Sequence, residues 1–326
     1  SELFNGPIIH PQKCDTTLDY KDKKIVVIGS GATAITLVPE MAKTANKVTM
    51  LQRSPTYIKS LPQKDKMANF FRKVLPSKMA YRLSRWKNIL ISLGFYTAAR
   101  RWPKTIRKFL LKEAKKEMNP DYDMRHLSPS YNPWDQRLCV VPDADLFKAI
   151  NSGKAEIVTD SIERFTADGI QLQSGNKLDA DIIVTATGLK VLMLGGMTVH
   201  INGVRSNPKD SHCYRGVMFS DIPNFALAIG YTNASWTLKC DLSCHYVTRI
   251  LKYMSKKNYS VCTPKFNAEE MDSQPLLDFD AGYIKRATDI IPKQGSKAPW
   301  RVYQNYILDS FTLRYKAAVD KYLEFE

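Results

Sequence analysis

Apolar residues along this chain fall into short continuous runs separated by turn-forming clusters. Lys24 to Ile28 reads KIVVI, an unbroken apolar run of the kind found in strands buried on both faces of a parallel sheet. Lys47 to Leu51 (KVTML) and Asp181 to Thr187 (DIIVTAT) repeat that pattern. A helix opens at Ala32, so residues 18–60 are expected to form a β-α-β unit, preceded over 1–17 by an irregular, proline-containing lead-in. Residues 61–130 have helical character, opened by Pro62 and closed by Asn119-Pro120 and Ser128-Pro129. Strand and helix patterning resumes at Asp143 to Leu146 and continues through Glu156 to Thr159. A hairpin-like pair follows from Ile162 to Leu178, with turns at Asp168-Gly169 and Ser174-Gly175. Beyond residue 189 loops and strands alternate around one clear helix, Thr237 to Met254. The fold class is therefore α/β, with a helical insertion and no internal repeat.

The turn after the first buried strand changes this from a fold into a candidate site. It reads Gly29-Ser30-Gly31-Ala32-Thr33-Ala34, the G-x-G-x-x-G/A pattern. Gly29 permits the tight turn, Gly31 lets backbone approach a pyrophosphate, and the small Ala34 lets helix and strand pack closely. The helix N-terminus then offers free N–H groups to phosphates. The competing reading is a fortuitous glycine turn; the flanking strand and helix favour a nucleotide. The next strand ends in Gln52-Arg53-Ser54, where an NAD site usually has an acid for the ribose hydroxyl. A cation at this point suits a 2′-phosphate, so NADPH is favoured over NADH. A solvated surface arginine is the alternative.

Charge is concentrated rather than spread. The net charge is +16 at 44% hydrophobic and 25% charged residues. Fourteen bases and one acid, Glu113, lie between Arg72 and Lys116. Aromatic and aliphatic residues (Phe70, Phe71, Trp86, Leu90, Phe95, Tyr96, Trp102, Phe109, Leu110) are interleaved with them. The readings are a helical lobe with a solvated basic face, an acidic membrane surface as partner, and, ranked last for want of a binding motif, nucleic acid. The longest apolar-leaning stretch, Ile89 to Ala99, is too short to span a bilayer. Six cysteines (14, 139, 213, 240, 244, 262) include no C-x-x-C pair, which argues against a thiol-disulfide reductase and fits a reducing cytoplasm, with peripheral membrane association as an extension. Cys240, Cys244 and His245 sit at helical spacing, but without a second ligand pair no metal site is expected.

Several motifs carry a family resemblance across essentially the whole chain. They are Phe4-x-Gly6-x3-His10, GSGATA, MLQRSPTY (50–57), YNPWDQRL (131–138), VTATGL (184–189) and GYTNASWTLK (230–239). Together they resemble a class B flavoprotein monooxygenase of the Baeyer–Villiger type, in the branch of thioamide-activating enzymes. The resemblance implies FAD, NADPH and O2 as cofactors and co-substrate. The implied reaction is oxygen insertion into ketones or oxidation of sulfur in a small-molecule substrate. It implies an interdomain linker over 1–17, an NADPH-binding Rossmann-like domain over 18–60 and 131–190, a basic helical insertion over 61–130, and the C-terminal part of an FAD/substrate domain over 191–326.

Residue roles carry over on the same terms. Arg137 matches the active-site arginine, whose fixed charge stabilises anionic oxygen during insertion; a structural ion pair is the alternative. Gly29, Ser30, Gly31, Ala32, Thr33, Ala34, Arg53 and Ser54 match the NADPH site. Thr187, Gly188, Asn233 and Trp236 match cofactor contacts. Phe4, Gly6 and His10 form the linker motif, with Cys14 where the family has Trp and Asp15 matching. Gln136 replaces a common lysine, which shifts weight to Arg53. Trp300 resembles the mobile loop that closes over NADPH, with core packing equally open. Only one glycine fingerprint is present, so these residues are expected to represent the C-terminal two-thirds of such an enzyme, lacking roughly 150 residues of a first FAD unit, and not to retain FAD or be active alone. The other classes left open are an NADPH-binding reductase or regulatory domain without flavin, and a basic membrane-associated interaction module.

Overall fold

The computed structural model describes residues 3–13, 17–136, 138–277 and 282–326. They divide into two compact units, residues 1–73 with 98–189, and residues 74–97 with 190–326. The chain runs β1 (Ile8–Ile9), β2 (Lys24–Ile28), α1 (Ala32–Met41), β3 (Lys47–Gln52), β4 (Ile58–Leu61), α2 (Lys66–Val74), α3 (Ser77–Arg101), α4 (Pro103–Glu117), β5 (Cys139–Pro142), α5 (Asp145–Asn151), β6 (Ala155–Thr159), β7 (Ile162–Thr166), β8 (Gly169–Leu172), β9 (Lys177–Asp179) and β10 (Ile182–Thr185).

The first unit is built on a five-stranded parallel sheet in the order β1-β10-β2-β3-β6. Burial on both faces explains the unbroken apolar runs. Ile25 and Val27 pack with Ala34, Ile35 and Val38 of α1 and with Leu146 and Phe147 of α5. Val26 and Ile28 turn to the opposite face, against Ile170 and Leu172 of β8. The period of two within β2 thus feeds two different cores. The hairpin-like pair is present and extends to a three-stranded meander, β7-β8-β9. The lead-in expected to be irregular contributes an edge strand instead. Ile8 and Ile9 register with Ile183 and Val184, because two branched residues beside an open sheet edge can be covered by pairing there.

The basic stretch is helical as expected, in α2, α3 and α4, but it is shared between the units. Ile89 of α3 joins the core of the second unit with Leu238 and Tyr306. Ala114 and Met118, at the end of the stretch, join the core of the first. Apolar residues aimed at separate cores therefore divide one run of sequence.

In the second unit, α6 (Trp236–Lys257) starts one residue before and ends three residues after the predicted helix. Asn258 closes it in the left-handed region (φ 56), a conformation asparagine tolerates well after a helix. Leu238, Leu242, Tyr246, Ile250 and Met254 form its buried stripe, packed with Tyr214, Met218, Trp300 and Leu313. Short two-stranded ribbons supply the rest of the sheet structure, among them Cys262–Pro264 with Leu323–Phe325. Among the described residues no helix is long and apolar enough to cross a membrane.

Candidate nucleotide-binding site

The glycine loop sits where the sheet changes direction. From β2 the chain steps outward to β3 and β6, then returns on the other side as β10. The carboxyl ends of strands flanking such a reversal form a crevice. Gly29 lies at its floor with φ 133, and a Cβ there would stand 2.3 Å from the Ala186 carbonyl oxygen at the end of β10. Its N–H donates to the Leu51 carbonyl at the end of β3, at 2.8 Å. Ser30 then ties the loop sideways, its Oγ donating to the Ser54 carbonyl at 3.1 Å.

Gly31 behaves differently from Gly29. It is the N-cap of α1, with φ −80 and ψ −178 and no side-chain cap, and a Cβ placed on it meets nothing within 4 Å. The first turn of α1 (Ala32, Thr33, Ala34) carries no acid. Uncapped N–H groups therefore face open space without a competing carboxylate, as an incoming phosphate requires. Ala34 is fully buried in the sheet–helix core, consistent with its expected packing role.

At the end of β3 the three residues separate by function. Gln52 is buried, its Nε2 donating to the His126 carbonyl at 2.7 Å and to Thr159 Oγ1 at 2.8 Å. Arg53 is exposed, and its side chain forms no ion pair or hydrogen bond among the described residues. Ser54 supplies the carbonyl that holds Ser30. Thr187 and Gly188 follow β10 and are exposed, Gly188 in a positive-φ turn (φ 109).

Two motifs remote in sequence meet beside this loop. Tyr57 donates its hydroxyl to the Tyr131 carbonyl at 2.6 Å, and Tyr131 donates to Thr56 Oγ1 at 3.1 Å. Their rings pack edge to face, 5.4 Å between centroids. Burial raises both hydroxyl pKa values above the usual tyrosine range, although Arg107 beside Tyr57 opposes this, so both remain protonated donors at neutral pH. Arg100 holds Asp135 of the same segment at 3.0 Å. These contacts join MLQRSPTY to YNPWDQ, whose Gln136 is half-buried. Arg137, together with Cys14 and Asp15, lies outside the described residues.

The linker motif is packed rather than loose. Phe4 is buried with Val26 and Ile183. A Cβ on Gly6 would stand 2.3 Å from the Asp181 carbonyl oxygen and 2.8 Å from the Phe4 ring, so only glycine fits between them. His10 accepts the Gln12 N–H on Nδ1 at 3.3 Å.

In the second unit the GYTNASW loop is held by a segment that sequence reasoning missed. The Thr232 N–H and Oγ1 both donate to Gln304 Oε1, at 3.0 and 3.1 Å, and Asn233 Nδ2 donates to the Gln304 carbonyl at 2.8 Å. Below them Tyr231 donates to Asp309 Oδ2 at 2.7 Å, and Lys239 of α6 pairs with the same oxygen at 2.8 Å. A lysine on the buried stripe of a helix, one residue from Leu238, was the available signal. Lys239 also borders a small cavity with Cys213, Gly216, Tyr231 and Tyr303. Burial pushes the Cys213 thiol up to about 12, which leaves it protonated and inert. Trp236 is exposed at the start of α6, its indole over Gly230.

Trp300 belongs to the core of the second unit. It is fully buried and packs edge to face with Tyr214 and Phe266, at 5.1 and 5.2 Å. Of the two readings left open for it, this enclosure by aromatic rings matches core packing. Cys240 is half-buried and Cys244 exposed, and among the described residues no three or more metal-ligating side chains gather.

A parallel sheet with an open glycine loop at its reversal, and a cation unpaired among the described residues at the end of the adjacent strand, is the arrangement that nucleotide-binding α/β folds share. Residues 1–257 match the family described as flavin-binding monooxygenase-like, and the chain belongs to that family. It is 51% identical over its full length to the probable FAD-binding monooxygenase AlmA of Acinetobacter baylyi, covering 66% of that protein. It is 50% identical, again over its full length, to the FAD-containing monooxygenase EthA of Mycobacterium tuberculosis, covering 67% of it. The chain thus spans about two thirds of the length of these relatives. Its fold is shared with an oxidised steroid monooxygenase bound to NADP (TM-score 0.72, 16% identity, 99% of this chain and 71% of that one). It is likewise shared with OTEMO in complex with FAD and NADP (TM-score 0.69, 18% identity, 100% and 72%).

Proposed function

We propose that this chain is the NADPH-binding and C-terminal portion of a Baeyer–Villiger-type monooxygenase that oxidises ketones or sulfur compounds with O2. The observation that carries the reading is the uncapped loop at Gly31 beside Arg53, unpaired among the described residues, in a chain half identical to FAD-containing monooxygenases. When bound, NADPH supplies hydride and FAD activates oxygen. The chain's own residues do the remaining work. Gly31 and the start of α1 receive the pyrophosphate, Ser30 is fixed by Ser54, and Arg53 pairs with the 2′-phosphate. Thr187 and Gly188 lie at the end of β10 on the opposite side of the crevice. Arg137 is assigned the fixed cation that stabilises anionic oxygen, since an arginine stays charged at working pH. Asn233 and Trp236 are assigned to the flavin contact.

Titration of the purified chain tests the nucleotide assignment. NADPH is expected to bind more tightly than NADH, and Arg53→Ala should remove about 1.5–3 kcal/mol from NADPH alone. Equal affinity for both nucleotides, unchanged in the variant, would refute the assignment. The same preparation is expected to be colourless, because these residues carry one pyrophosphate loop and NADPH occupies it. Stoichiometric flavin absorbance after purification would overturn that part of the proposal.

A further inference from the structure

We propose that α2 seats the protein on an anionic lipid surface. Met67, Phe70 and Val74 are 52%, 58% and 56% exposed on this single helix. At about 100° per residue they share one stripe. Ala68, on another side, is the residue that α2 buries. Phe71 widens the stripe, its ring centroid 6.3 Å from that of Phe70. An apolar face of this kind on a short helix, with water on it, matches the boundary between headgroups and acyl chains.

The charges around the stripe select the occupant. Lys64, Lys66, Arg72 and Lys73 are all exposed, and Asp65 is the acid among them. Asp65 is engaged at the helix start, its Oδ1 accepting the Ala68 N–H at 3.0 Å. Arg72 donates to Asn69 Oδ1 at 3.1 Å, and neither it nor Lys73 forms an ion pair among the described residues. Basic side chains beside an apolar stripe fit anionic headgroups over hydrocarbon. A second copy of this chain would bring the same positive charge. Nucleic acid would satisfy the bases but leave Met67, Phe70 and Val74 in water. The inference concerns α2, which supplies none of the residues assigned to the nucleotide, and does not depend on the proposed reaction.

Co-sedimentation of the chain with vesicles of phosphatidylcholine, with and without about one third phosphatidylglycerol, tests it. Binding is expected with the anionic vesicles, falling steeply as salt rises. Exchanging the three exposed apolar residues (Met67→Ser, Phe70→Ser, Val74→Ser) should lower vesicle partitioning at least about tenfold. The thermal melt should stay in place, since these side chains are in water already. Equal pelleting with pure phosphatidylcholine, or full binding by the triple variant, would overturn the proposal. So would tighter binding to duplex DNA than to anionic vesicles, or a dimer of the unmodified chain that the triple variant dissolves.

Discussion

Asp309→Ala is expected to destabilise the second unit by about 3–5 kcal/mol, the usual cost of leaving a buried charge without its partner. Lys239 and Asp309 are 4% and 6% exposed and 2.8 Å apart. Tyr231 donates to the same carboxylate oxygen, so one deletion strands an ammonium and a hydroxyl together. Burial and the neighbouring Asp309 both raise the Tyr231 pKa, so its hydroxyl remains a neutral donor in need of an acceptor. The loss should appear in urea unfolding followed by tryptophan fluorescence, because Trp300 lies in this core. A paired exchange, Lys239→Met with Asp309→Leu, should recover much of it, since neither charge is then left behind. A single variant that melts within about 1 kcal/mol of the parent would show that water reaches this pair and that the burial argument is wrong.

This pair also shows where the sequence stops being informative. The strand–loop–helix at Lys24 to Ala34 was legible because its signals are local: an apolar run, two glycines at fixed spacing and a small residue. Each is forced by backbone geometry within a few residues. Lys239 and Asp309 are seventy positions apart, and nothing local to either marks the other. The meeting of Thr56-Tyr57 with Tyr131 is similar, since it depends on α2, α3 and α4 returning the chain to its starting edge. Family motifs identified both stretches but not the hydrogen bonds joining them.

One departure from expectation and one alternative left open have the same origin. Ile8-Ile9 looked irregular because two residues carry no periodicity, yet the free edge of β10 makes a strand of them. Trp300 resembled a lid residue by its neighbours in sequence, and only the enclosing rings of Tyr214, Phe266 and Tyr322 show its packing role. The basic insertion is helical, as its composition and punctuation imply. Its division between two cores depended on which apolar residues found which partners, and spacing within one helix does not encode that.

The two glycines of the loop should respond in opposite ways to the same substitution. Gly29→Ala places a methyl carbon 2.3 Å from the Ala186 backbone oxygen, at a φ of 133 that L-residues avoid. The obstacle is backbone at the end of a paired strand and cannot swing away as a side chain would. Strain of about 1–3 kcal/mol from the dihedral adds to a comparable cost from overpacking. The expected result is a thermal melt lowered by many degrees and loss of NADPH binding as a consequence. Gly31→Ala has an ordinary φ of −80 and open space around the added methyl. Folding should weaken by no more than about 1 kcal/mol, the cost of alanine at an N-cap, partly offset because the unfolded chain loses freedom. NADPH affinity should nevertheless fall at least about tenfold, since the methyl occupies the approach the pyrophosphate needs. Melting curves and nucleotide titrations on both variants decide the matter. If Gly31→Ala binds NADPH as tightly as the parent, the open space above α1 is not where the phosphates sit.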